Sequence, residues 1–130
     1  MQAVDKILEA HGYESVNQMA IGDHVEVEVP GFMPLVIEKV GTRRISVAHY
    51  YRQMGDRMSD PEIVFDVLPN GRWCAVEYTQ HPYIYQHDED GLVDATHFAL
   101  NTWDKNLEQQ GFVEAARQAV SASVTDEVTA

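Results

Sequence analysis

Glu62-Ile63-Val64-Phe65-Asp66-Val67-Leu68-Pro69-Asn70-Gly71-Arg72-Trp73-Cys74-Ala75-Val76-Glu77-Tyr78-Thr79 decides the fold class. Two apolar runs flank Pro69-Asn70-Gly71. Asn and Gly both tolerate positive φ, so this dipeptide between apolar runs is the strongest hairpin signal in the chain. It predicts antiparallel strands over 62–68 and 72–79.

The same pattern extends upstream. In Asp23-His24-Val25-Glu26-Val27-Glu28-Val29 the valines share one face, and His24, Glu26 and Glu28 the other. That alternation marks a half-buried strand, ended by Pro30-Gly31. Leu35 to Val40 reads as a second strand, with Gly41-Thr42 as its turn. Ile45 to Tyr51 reads as a third, alternating through Ile45, Val47 and then His49 or Tyr51. Met54 to Pro61 is polar and broken, and reads as a loop. Tyr83-Ile84-Tyr85 is a candidate for a further short strand.

Helical periods bracket the strands. Val4, Ile7 and Leu8 predict a short helix over 2–11, stopped by Gly12; residues 13–22 are a connector. After the acidic turn His87-Asp88-Glu89-Asp90-Gly91 the period changes. Leu92, Ala95, Ala99, Trp103 and Leu107 recur at three- and four-residue steps, predicting an amphipathic helix over 92–110. Acids before and within its first turn suit the positive end of the helix dipole. Gly111 stops it, and Phe112, Val113, Ala116 and Val120 predict a second short helix to about residue 122. The expected architecture is a single α+β domain over 1–120. It has an antiparallel sheet of about five strands, a short N-terminal helix and a long C-terminal amphipathic helix packed on one face. Residues 121–130 are expected to form a flexible tail.

At 130 residues, with 45% hydrophobic and 23% charged content, the chain suits one globular domain with an adequate core. Cys74 is the single cysteine, so an intramolecular disulfide is excluded and an oxidising compartment is not required. Its apolar neighbours mark it as a small buried residue rather than a reactive thiol. No apolar run reaches membrane-spanning length, and the N-terminal stretch lacks the pattern of a signal peptide. The cytoplasm is the expected compartment.

The net charge is −12. Such a chain repels nucleic acid and anionic membrane and suits a basic partner. The bases concentrate in the middle third, at Lys39, Arg43, Arg44, Arg52, Arg57 and Arg72. From Trp73 onward ten acids face two bases, Lys105 and Arg117.

Three groups of residues could carry chemistry. His49, Asp56 and Asp60 hold donors suited to a divalent cation. The competing reading makes Asp56 and Asp60 turn residues bonded to their own backbone, and is preferred several-fold. Asp66 and Glu77 sit where a restriction-type nuclease carries its metal-binding acids, but Thr79 stands in place of the lysine that such a site needs. The histidines His11, His24, His49, His81, His87 and His97 form no zinc-type pair. Asp94 and His97 share a helical face, an arrangement more typical of a surface hydrogen bond than of a catalytic dyad. No phosphate loop, nucleophile elbow or zinc-protease motif is present, and no cofactor is called for. Tyr83 and Tyr85, beside the acidic turn, are candidate interface residues.

Two stretches carry a resemblance. His49-Tyr50-Tyr51-Arg52-Gln53-Met54-Gly55-Asp56-Arg57-Met58-Ser59-Asp60-Pro61-Glu62 is followed by Trp103-Asp104-Lys105-Asn106-Leu107-Glu108-Gln109-Gln110-Gly111-Phe112. Together they resemble small uncharacterised bacterial proteins carried on plasmids, integrated elements and phages. The resemblance covers about residues 45–112 and leaves 1–40 outside. It implies no activity. Small acidic proteins of such elements often inhibit host defence by presenting carboxylates where phosphates would go.

The sequence therefore favours a non-enzymatic protein that binds a basic protein surface, with a nucleic-acid-binding host complex as one such partner and no direct contact with nucleic acid or membrane. Asp56, Asp60, Glu62, Asp88, Glu89, Asp90, Asp94, Tyr83 and Tyr85 are the expected contact residues. The alternatives are a metal-dependent hydrolase at His49, Asp56 and Asp60, and a homo-oligomeric accessory protein, such as a homodimer, using the Tyr83–Trp103 region.

Overall fold

The computed structural model describes the backbone of residues 1–129 and side chains through residue 121. Six strands form one antiparallel sheet in which spatial order follows chain order. They are β1 (His24–Val27), β2 (Leu35–Gly41), β3 (Arg44–Gln53), β4 (Asp56–Val67), β5 (Trp73–Gln80) and β6 (Ile84–His87). The α+β class holds. The sheet has one strand more than the expected five, because the Tyr83–Tyr85 candidate becomes β6 at the edge.

The Asn70-Gly71 turn forms as read. Gly71 has φ 86°, and its N–H donates to the Leu68 carbonyl at 2.8 Å. The expected loop over 54–61 does not exist. Met54 and Gly55, with φ 54° and 87°, make a tight hairpin tip, and Asp56 opens the twelve-residue strand β4. Positive φ at both central residues matches the right-handed twist of the strands they join. The outer half of this β3–β4 arm reaches past the core, so its side chains show no apolar alternation for a sequence reading to detect.

One face of the sheet carries the core. Val25, Val27, Leu35, Ile37, Ile45, Val47, Ile63, Phe65 and Trp73 lie against four helical segments. These are α1 (Gln2–Ala10), α2 (Val93–Phe98), α3 (Asp104–Gln109) and α4 (Phe112–Thr129). Between α2 and α3, Ala99–Trp103 forms a π-type turn, so 93–109 is one helix with a widened middle. The sequence explains the widening. Ala95, Ala99, Trp103 and Leu107 are all buried and spaced by fours. In a regular α-helix each four-residue step drifts about 40° around the axis, and a turn of longer period brings the stripe back to one line.

The N-terminal helix docks by polar capping as well as burial. The first N–H groups of a helix lack internal partners, and Asp104 of α3 supplies them. Its carboxylate accepts from Gln2 N at 3.1 Å and Ala3 N at 2.8 Å. Helix α4 runs further than the predicted short helix, through Thr129. The tail expected over 121–130 falls mostly on side chains outside the described residues. Among the described residues no helix is long and apolar enough to cross a membrane.

Two polar residues, Lys39 and His49, enter the core face. Lys39 follows Leu35 and Ile37 on the inward face of β2, opposite Ile45, while its neighbour Val40 is exposed on the other face. The Lys39 ammonium donates to the Val16 carbonyl at 2.8 Å, and burial lowers its pKa. Cys74 is half-buried rather than fully buried. Its Sγ lies under Gly91 (φ 112°), where an added Cβ would come within 2.7 Å of the sulfur.

Candidate functional site on the open face of the sheet

Among the described residues no helix lies over the second face of the sheet. Pairing register aligns its side chains in rows. His24, Glu38, Ser46, Val64, Glu77 and His87 stand opposite one another in succession across all six strands. The next row is Glu26, Val36, Ala48, Glu62, Thr79 and Tyr85. Cross-strand neighbours on one face are close enough to interact directly. This face therefore gathers four carboxylates, two imidazoles and several hydroxyls that are far apart in the chain.

Glu62 is the hub of the face. It accepts from Ser59 Oγ at 3.0 Å, Ser46 Oγ at 3.2 Å and Tyr50 OH at 3.5 Å. Burial, then the Glu62 charge, raises the Tyr50 pKa, so the phenol stays a proton donor. Ser59 and His81 also meet, but not as a nucleophile and base. The Ser59 backbone N–H donates to His81 Nδ1 at 2.7 Å, and its hydroxyl is turned to Glu62. The imidazole therefore does not activate the hydroxyl, and the cluster is a hydrogen-bonded platform rather than a catalytic triad.

A groove of about 610 Å³ runs along this face between β1–β2 and the projecting β3–β4 arm. His24, Glu26 and Glu38 line one side. Tyr50, Tyr51, Arg52 and Arg57 line the other, with Pro34 and Val36 between them. The Arg57 guanidinium lies over the Tyr50 ring, 3.7 Å from its centroid.

The acidic turn borders the face at the far end. Glu89 reaches back to Arg44 and to His87, which holds its carboxyl below the usual range. Asp88 accepts the Asp90 N–H at 2.9 Å, and Asp90 and Asp94 are exposed. Tyr83 is 93% exposed, and Tyr85 is exposed with its hydroxyl 3.5 Å from Glu77. Asp56 is exposed at the hairpin tip, and Asp60 accepts from Gln80 Nε2 at 2.9 Å.

The proposed metal set is not brought together. His49 lies on the core face, packed against Trp103 and Phe112 at ring distances of 5.7 and 5.3 Å. Its Nδ1 is 3.0 Å from the Met33 carbonyl, which marks it as the donor. Burial lowers its pKa, only partly opposed by the Met33 and Pro34 carbonyls and by Asp60. Among the described residues no three His, Cys, Asp or Glu side chains gather to hold a metal ion. Asp94 and His97 do not pair either; His97 Nδ1 meets Asn101 at 3.3 Å.

A family model covers most of this architecture. The chain belongs to the DUF6908 family, a domain of unknown function. The match spans residues 2–113. This DUF6908 domain thus includes α1 and the whole sheet, ends just inside α4, and takes in the 2–40 region that the motif resemblance left out. No curated protein and no solved structure matches the chain.

Sequence reasoning named Glu62, but not Ser46, Tyr50, Ser59 or His81 as its company. The missing information is register, which decides who stands opposite whom. The only available hint was the strict alternation of Ser46 and Glu62 with core residues, which puts them on the outward face.

Proposed function

We propose that this chain is a non-catalytic binding module that presents the open face of its sheet, and the acidic turn beside it, to a basic protein surface. The observation carrying this reading is the uncovered face itself. Rows of carboxylates at Glu26, Glu38, Glu62 and Glu77 continue to the exposed Asp88, Asp90 and Asp94, beside the exposed Tyr83 and Tyr85. Tyrosines beside charged rows supply contact area at low entropic cost, and carboxylates supply orientation and on-rate. A nucleic-acid-processing complex has the kind of basic surface that such a face would occupy in place of phosphates, and inhibition of a host defence complex would follow from that occupancy. A cytoplasmic location fits a chain with one cysteine and no disulfide requirement.

Affinity capture from the native host tests the reading, using wild type beside an Asp88→Asn/Asp90→Asn/Asp94→Asn variant and an E26Q/E38Q variant. The expected result is a basic partner lost from at least one variant and weakened by added salt. A partner with an acidic contact face, or an affinity indifferent to salt, rules the reading out.

A further inference from the structure

The groove on the open face has a cationic end that the acidic-surface reading does not use. Arg52 and Arg57 stand directly opposite each other across the β3–β4 hairpin. Like charges in that relation destabilise a strand pair. The two nearby arginines outside the groove behave differently: Arg43 pairs with Asp66 and Arg44 with Glu89. In a chain with 21 acids and 9 bases, carboxylates are abundant, yet among the described residues neither Arg52 nor Arg57, like Arg72 on the β4–β5 turn, has an ion pair. Arg57 is held against Tyr50, which fixes the plane of its guanidinium and leaves its donor edge free. Tyr51, Pro34 and Val36 add an apolar wall beside the two cations.

From this arrangement the geometry points to a small-molecule site: the groove binds an aromatic oxyanion, a ligand whose phosphate or carboxylate bridges Arg52 and Arg57 while its ring lies along Tyr50, Pro34 and Val36. Paired guanidiniums match an oxyanion with parallel donors, which a single lysine cannot do. The bridging anion removes the like-charge repulsion across the hairpin. Glu26 and Glu38 on the opposite wall select against polyanions, so a nucleic-acid strand does not fit the groove while a compact anion at its far end does. The volume lies within the range of ligand pockets. This site is independent of the acidic-surface reading, because it recognises the opposite charge.

The test is an NMR titration that follows the Arg52 and Arg57 side-chain Nε–H resonances. Phenyl phosphate, benzoate and inorganic phosphate are the probes, with the full chain as wild type, R52Q, R57Q, R52Q/R57Q and R72Q. All the substituted arginines are exposed or near the surface, and an unchanged far-UV spectrum confirms that each variant is folded. Saturable shifts with phenyl phosphate or benzoate, about tenfold tighter than with inorganic phosphate, support the site. Each single variant then weakens binding about tenfold or more, the double variant abolishes it, and R72Q leaves it unchanged. The phenyl phosphate and benzoate arms separate a phosphate ligand from a carboxylate one. No saturable shift with any probe, equal binding of inorganic phosphate, or shifts that persist in the double variant overturn the proposal.

Discussion

The two faces of this sheet are built from the same strands by opposite rules. On the covered face, apolar side chains are buried under helices, and the two polar intruders, Lys39 and His49, each meet a backbone carbonyl. On the open face, Ser46 and Ala48 are also buried, but without a helix over them. Charged and hydroxyl-bearing groups surround them, and Glu62 is shared among three hydroxyls. Stability is therefore concentrated on one face, leaving the other free to carry groups that cost stability, such as the opposed Arg52 and Arg57.

That contrast is breakable by substitution. Phe65→Ala on the covered face should cost about 3–5 kcal/mol, because Phe65 is fully buried and packs edge-on against Trp73 at 5.1 Å. Urea denaturation measures it. Glu62→Ala on the open face should cost about 1–3 kcal/mol by leaving the Ser46 and Ser59 hydroxyls unpaired. Glu62→Gln, which keeps an acceptor oxygen, should cost clearly less. If Glu62→Ala matched Phe65→Ala, the open face would count as core and the division would fail.

A pH series sharpens the comparison further. The folded-state pKa of His49 lies below its ordinary value of 6.5. As pH falls, the unfolded chain binds that proton first, so stability is lost from about 6.5 downward until the folded-state pKa is passed. Thermal melts between about pH 5 and 8 should show this loss, and His49→Phe should flatten it. The smallest effect belongs to Arg52→Gln, expected within about 0.5 kcal/mol of wild type and on the stabilising side, since it removes a like-charge pair. A clear destabilisation would mean that Arg52 supports the fold rather than a ligand.

Alternation made the strands legible. Val25 and Val27, or Ile45 and Val47, reveal a sheet face because nothing else has period two. Legibility failed where that physics was absent. Residues 56–61 lie on an arm with little core beneath it, so strand pairing there left no apolar signature, and a Met-Gly tip is a weaker cue than Asn-Gly. Lys39 and His49 stand at inward positions of β2 and β3 where their polar type hides the alternation, and His49 is covered by two aromatic neighbours from the far end of the chain. The π-type turn is visible only once four-residue spacing is compared with helix geometry. The candidate site was the least legible part, since Arg52 opposite Arg57, and Glu62 beside Ser46, are facts of pairing rather than of composition.

The meander order of the strands also shapes how the molecule is assembled. Each strand pairs with its immediate predecessor, so sheet contacts close short stretches of chain and cost little loop entropy. The helical layer closes much longer stretches, among them the seam between α1 and α3, where Lys6 meets Glu108 and Asp104 caps Gln2 and Ala3 across roughly a hundred residues. Chains rich in local contacts fold quickly, and the distant ones set the pace. The closing of that seam is thus the expected slow step, and weakening it through Asp104 should delay completion of the helical layer while leaving hairpin formation untouched.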